Sequence, residues 1–162
     1  GITEAGTDFS GTIKSSIGLG YLLLKGIGDT IRVSLSADPV KEVQVAWEIL
    51  KSLGLRERGA RIVSCPTCSR AKIDVIKIAK ELERITASVK KPVKIAVMGC
   101  TVNGLGEGKE SALAIVGSGK NIALLMKNGK IVKKGKEKEI LKLLRKEISK
   151  LKIAVRRSKW RK

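Results

Sequence analysis

The sequence predicts an α/β chain in two parts, the second a small α+β domain with a mixed sheet and flanking helices. Three observations carry this reading. Short β-branched runs alternate with amphipathic stretches across brief loops, which is the grammar of a parallel α/β sheet or barrel. The pattern pauses at Gly54–Gly59 (Gly-Leu-Arg-Glu-Arg-Gly), a linker-like stretch, and restarts behind it. Near the end, Asn128-Gly129 is the strongest short hairpin signal in the chain and adds an antiparallel pair.

Each element has a local reason. Ile13–Leu24 reads as a helix closed by Lys25-Gly26. Thr30–Leu35 alternates apolar and polar residues and predicts a strand. Asp38-Pro39 opens a helix, with Asp as N-cap and Pro at the first helical position, and it runs to about Ser52 with Val40, Val43, Trp47 and Leu50 on one face. Beyond the linker, Arg61–Val63 is a short strand ending at Ser64-Cys65. Ser69 to Thr86 is an amphipathic helix that buries Val75, Ile78, Ala79, Leu82 and Ile85. Pro92–Met98 is a strand ending at Gly99-Cys100, and Thr101–Gly108 reads as a Gly-rich loop. Leu113–Val116 and Ile122–Met126 are strands, the latter paired with Lys130–Lys133. A last helix, Glu137–Ile153, buries Ile140, Leu144, Ile148 and Leu151.

With 162 residues, 43% of them hydrophobic, the chain can bury one core or two small ones. No run approaches the roughly 20 apolar residues of a membrane span, and no secretory leader opens the sequence, so a soluble, cytoplasmic protein is expected. The start at Gly1, without an initiator Met, suggests a piece of a longer protein. The net charge is +19, and from Lys127 onward 16 Lys/Arg stand against three Glu, a local charge of +13. Such a surface suits a solvated helical face with a basic tail, or an acidic partner. Four aromatics (Phe9, Tyr21, Trp47, Trp160) are too few for a base-stacking platform. Nucleotide loops fail too, because Gly18-Leu19-Gly20 lacks its third glycine.

The chemistry concentrates in the cysteines. Three are too few for a disulfide framework, and the absence of histidine removes imidazole zinc sites and Ser–His or Cys–His nucleophile systems. Cys65-Pro66-Thr67-Cys68 follows a predicted strand and is read as opening a helix, whose N-terminus favours thiolates. Alone, this spacing also fits a thioredoxin-like pair. Cys100, separated from Cys68 by 31 residues, likewise follows a strand, so neighbouring strands would bring the three sulfurs together. A structural zinc site wants a fourth Cys or a His, whereas an iron–sulfur cluster tolerates a non-thiolate on one iron. Glu107 is the nearby acid, within Gly104-Leu105-Gly106-Glu107-Gly108. Taken alone it is a solvent-exposed loop residue, but with three cysteines it completes a four-ligand set.

These residues resemble a known family. Cys65-Pro66-Thr67-Cys68, Met98-Gly99-Cys100-Thr101-Val102-Asn103-Gly104 and Glu107 are similar to the C-terminal domain of the 4-hydroxy-3-methylbut-2-enyl diphosphate synthases of the non-mevalonate isoprenoid pathway. Gly1–Gly6, Lys14-Ser15, Gly18–Gly20 and Gly28–Leu35 resemble the end of that family's TIM barrel. The resemblance implies a barrel remnant over 1–55, a cluster domain over 56–152 and a basic tail over 153–162. It implies a [4Fe-4S] cluster on Cys65, Cys68, Cys100 and Glu107, with Asn103 at the active-site loop. It implies reductive opening and dehydration of a cyclic diphosphate, 2-C-methyl-D-erythritol 2,4-cyclodiphosphate, with electrons from an acidic flavodoxin or ferredoxin, in a homodimer. Thr3, Arg32 and Ser34 would bind the diphosphate and Glu4 would donate a proton, at strand ends where barrel enzymes place their sites. The rest of the barrel is not in this sequence. Two other readings compete: a zinc-stapled basic module binding nucleic acid, and a plain ferredoxin-like carrier, which the missing fourth Cys disfavours.

Overall fold

The computed structural model describes residues 1–157, with side chains from 152 onward left aside. It divides into a unit spanning Gly1–Arg58 and a second beginning at Gly59.

The first unit is built from α1 (Asp8–Leu24) and α2 (Pro39–Ser52). Helix α1 starts a turn earlier than the sequence pattern suggests, because Thr7 takes the extended N-cap conformation and Asp8 sits in the first turn. Helix α2 starts as expected, the Asp38 carboxylate accepting the Val40 N–H at 2.8 Å with Pro39 at the first position. Leu19, Val33, Val45 and Ile49 form the core. The α2 stripe of Val40, Val43, Trp47 and Leu50 is real, but it is not the buried face. Val40 and Val43 are exposed, Val43, Trp47 and Leu50 line an open groove with Ile31 and Val33, and Val45 and Ile49 point inward.

Thr30–Leu35 does not become a strand. A strand requires a ladder, and Thr30–Leu35 has none; the backbone bond to the opening segment comes from the residue after it, Ser36 N–H to Gly6 O at 2.9 Å. The Leu35 N–H is instead taken by the Glu42 carboxylate at 2.8 Å.

The second unit is a five-stranded mixed sheet in the order β1-β2-β3-β4-β5. Its strands are β1 (Ala60–Ser64), β2 (Val93–Met98), β3 (Leu113–Gly119), β4 (Ile122–Lys127) and β5 (Lys130–Lys136). The first three are parallel and the last three antiparallel. Asn128 and Gly129, at φ 48° and 79°, make the expected hairpin turn. Asn121, at φ 58°, turns β3 into β4 in a second hairpin that the sequence pattern had not announced. The sheet is covered on both faces, so the middles of its central strands are buried on both sides. On one face α3 (Val75–Thr86) and α5 (Glu137–Arg157) bury Ile78, Leu82, Ile140, Leu144 and Ile148 against Ile95, Val97, Leu113, Ile115 and Leu125.

Three expectations are corrected here. Helix α3 begins at Val75, not Ser69, because Asp74 caps it by accepting the Lys77 N–H at 3.0 Å. Residues 66–74 are therefore loop. Helix α5 runs on to Arg157, so the expected basic tail is helical over 153–157, and 158–162 lie outside the described residues.

The third correction matters most. Thr101–Gly108 is not a loop but the body of α4 (Thr101–Lys109), which covers the second face of the sheet. Its glycines act by absence of bulk rather than by backbone freedom. A Cβ at Gly104 would stand 2.3 Å from Val116 Cγ1, and one at Gly108 2.4 Å from Met126 Sδ. The helix thus lies directly on Met98, Ala114, Val116 and Met126, with Gly104 and Gly108 buried.

Gly104→Ala is expected to lift α4 off rigid, β-branched Val116 and destabilise the chain by roughly 1–3 kcal/mol. Gly106→Ala, whose Cβ would meet nothing within 4 Å, is expected to stabilise it by about 0.5–1 kcal/mol. Urea denaturation should move the two midpoints in opposite directions.

Candidate metal centre

The cysteines are placed by strand pairing. Strands β1 and β2 run parallel with Ser64 opposite Val97, so the residues following both strands emerge side by side. Cys65 N–H donates to Val97 O at 3.3 Å, and Cys65 Sγ accepts the Gly99 N–H at 3.1 Å. Cys100 is the next residue and serves as the N-cap of α4 in an extended conformation, with no side-chain cap bond. Gly99 allows this crowding, since a Cβ there would lie 3.0 Å from Ala71 Cβ. The loop behind Cys65 folds back over the strand ends, with Ala71 N–H bonded to Cys68 O at 3.0 Å and Lys72 N–H to Gly99 O at 2.8 Å. All three cysteines are reduced, Cys65 and Cys100 half-buried and Cys68 exposed.

The Cys-x-x-Cys segment does not open a helix, which removes the dipole argument. Cys68 is nevertheless the thiol whose pKa is pulled below the ordinary range. The Arg70 backbone N–H is the main cause, opposed by slight desolvation and aided by the Arg70 charge and the Ala71 N–H. This is the electrostatic setting of a thiol disposed to be a ligand or nucleophile.

Glu107 lies elsewhere. It is the seventh residue of α4, and its Oε2 is 3.2 Å from Lys94 Nζ, which also reaches Glu110 at 3.3 Å. The hydrogen bond to Glu107 is the main reason that Lys94 is held above the usual lysine range. Among the described residues, no three Cys, Asp or Glu side chains are gathered closely enough to hold one ion. By type the three thiols suit a soft metal or an iron–sulfur centre, and they share one end of the sheet. Glu107, in this arrangement, does not reach it. Asn103 is exposed in the first turn of α4.

The barrel-type candidates lie in the first unit. Arg32 Nη2 donates to Thr3 Oγ1 at 3.0 Å, so these two are brought together. Glu4 is exposed with a left-handed φ of 57°, a conformation a glutamate rarely holds without a local reason. Ser34 is half-buried. Sequence reasoning missed Lys94, one of 34 basic residues with no motif around it. It also missed the cationic rim at the cysteine end of the sheet. Arg70, Lys72, Lys120 and Lys136 are exposed there, and the ion pairs among the described residues involve other lysines and arginines.

The chain is similar to members of one family of proteins. The family model described as GcpE protein C-terminal domain matches residues 61–150, and that described as GcpE TIM-barrel domain matches residues 1–47. Among curated relatives, a protein of Caldanaerobacter subterraneus named 4-hydroxy-3-methylbut-2-en-1-yl diphosphate synthase (flavodoxin) is 59% identical over 93% of this chain and 42% of its own length. Proteins of the same name from Geobacillus thermodenitrificans and Bacillus subtilis are 57% and 53% identical, over 93% and 91% of this chain and 40% and 39% of their own lengths. The chain therefore spans about two fifths of the length of the curated relatives it matches.

In metal-free protein, Cys68 is expected to alkylate first, with a rate–pH midpoint below the roughly 8.5 of an ordinary thiol. Arg70→Gln should raise that midpoint only part of the way, since the backbone N–H remains. Mass-spectrometric alkylation profiles across pH would read both.

Proposed function

The chain belongs to the GcpE family, and from that premise we propose that it carries the cluster-binding part of a 4-hydroxy-3-methylbut-2-en-1-yl diphosphate synthase. The observation that carries the reading is the emergence of Cys65 and Cys100 from paired parallel strands, with Cys68 on the loop folded over them. In this reading Cys65, Cys68 and Cys100 hold a [4Fe-4S] cluster and Glu107 supplies the fourth ligand. When bound, such a centre delivers electrons and offers one iron with a replaceable oxygen ligand.

The chain's own residues would do the rest. Cys68 is disposed to ligate as thiolate. Thr3, Arg32 and Ser34 would grip the diphosphate, the guanidinium by its planar fork and the hydroxyls as donors. Glu4 would give a proton to the departing hydroxyl, and Asn103 would orient substrate from the first turn of α4. The substrate is the cyclic diphosphate, opened with two electrons and loss of water. The relatives' printed name includes flavodoxin, and a flavodoxin donor fits the cationic rim of Arg70, Lys72, Lys120 and Lys136 by charge complementarity. We place the enzyme in the cytoplasm as a homodimer in its complete form. No helix among the described residues is long and apolar enough to cross a membrane.

Anaerobic purification with metal and sulfide analysis tests the reading. About four irons and four labile sulfides per chain are expected, falling together on Cys65→Ser, Cys68→Ser or Cys100→Ser. Stoichiometric zinc without labile sulfide would overturn it in favour of a metal-stapled binding module.

A further inference from the structure

We infer that Asn128 is a site of spontaneous deamidation, and that helix α4 protects Asn103 from the same reaction. The chemistry is a ring closure. The backbone nitrogen of the following residue gives up its proton to water and attacks the side-chain amide carbon. The amide C–N bond breaks and ammonia leaves. Water then opens the cyclic imide to aspartate or isoaspartate, with no oxidation or reduction at any step. A following glycine favours the attack, because it has no side chain to shield its nitrogen. The asparagine must also be free to swing its amide over that nitrogen, which a fixed helical backbone prevents.

The chain has three asparagines, and they separate these two conditions. All three side chains are exposed, so access of water does not distinguish them. Asn121 and Asn128 sit in hairpin turns at left-handed φ of 58° and 48°. That region is cramped for a residue with a Cβ, so leaving it costs little. Ile122 follows Asn121, however, and its β-branched side chain screens the nitrogen. Asn103 has the glycine but not the freedom. It lies in the first turn of α4, and its neighbour Gly104 is buried so tightly that a Cβ would stand 2.3 Å from Val116 Cγ1 and 3.1 Å from Met98 Cβ. Bringing the Gly104 nitrogen to the Asn103 amide means unwinding a helix seated on the sheet. Asn128 alone combines a following glycine with a turn, and that turn leads into β5, the last strand of the sheet.

The product bears on the hairpin itself. Isoaspartate adds a carbon to the backbone of a two-residue turn, where Lys127 pairs with Lys130 and Met126 with Ile131. Either product also places a carboxylate between Lys127 and Lys130 and lowers the net charge by one unit.

The test incubates the folded chain in mildly alkaline buffer, cleaves it after glutamate under acidic conditions and maps the peptides by mass spectrometry. Peptide 84–107 carries Asn103, and peptide 111–137 carries Asn121 and Asn128, which fragmentation tells apart. Conversion at Asn128 should outpace the other two by about tenfold or more. In urea, Asn103 should accelerate to the rate of Asn128 while Asn121 stays slow, because the following residue alone then decides. On cation exchange the converted chain should elute ahead of the parent. A rate at Asn128 no faster than at Asn121 in the folded chain would overturn the site. Equal rates at Asn103 and Asn128 in the folded chain would overturn the protection by α4, as would an Asn103 rate that urea leaves unchanged.

Discussion

Parallel pairing of β1 with β2 is the constraint from which the candidate site follows. Parallel strands deliver their carboxyl ends to the same side of a sheet, so two cysteines 35 residues apart in sequence become neighbours. The register sets the rest, because Ser64 opposite Val97 puts the Cys65 sulfur against the Gly99 N–H. A slip of one residue would turn the following side chain to the other face. The register is in turn secured by burial, since Ile95, Ala96, Val97 and Met98 are wholly enclosed, alternating between the two faces of the sheet.

The two faces do different work. The face under α3 and α5 is a conventional large-residue core, in which Ile78, Leu82, Ile140, Leu144 and Ile148 interdigitate with strand residues. The face under α4 is thin, with methionine, alanine and valine meeting helix backbone through two glycines. The first face holds most of the large buried side chains, and the second is closed by a helix packed backbone-to-sheet directly behind Cys100. The lysine-rich edge strand β5 adds protection of another kind, since charged side chains discourage edge-to-edge pairing.

The strands that end just before Cys65 and Cys100 were legible in the sequence because their signals are local. An apolar β-branched run ending in Cys states where a thiol will stand, and Asn128-Gly129 states where a hairpin will turn. Asp38-Pro39 was equally readable, because an N-cap and its proline are adjacent. The misread stretches share a different cause. Thr101–Gly108 looks like a loop to any propensity argument, and it is helical because tertiary contact with Val116 and Met126 rewards missing side chains. Thr30–Leu35 has strand composition but forms no ladder with the opening segment, the one backbone bond there coming from Ser36, and no alternation of residues reveals whether a partner exists. The grip of Lys94 on Glu107 was illegible because it joins a strand to a helix 13 residues on, and nothing marks that lysine among the others.

The separation of the large-residue core from the cysteines bears on the life of the protein. A zinc finger loses its fold with its metal, because the ligands are most of what holds it. Here the enclosed core centres on Ile95, Ile115, Ile140 and Leu144, while Cys65 touches it only as a partly buried neighbour. On the proposed reading, removal of the cluster would leave this enclosed core in place, because none of its large side chains depends on a thiol for burial.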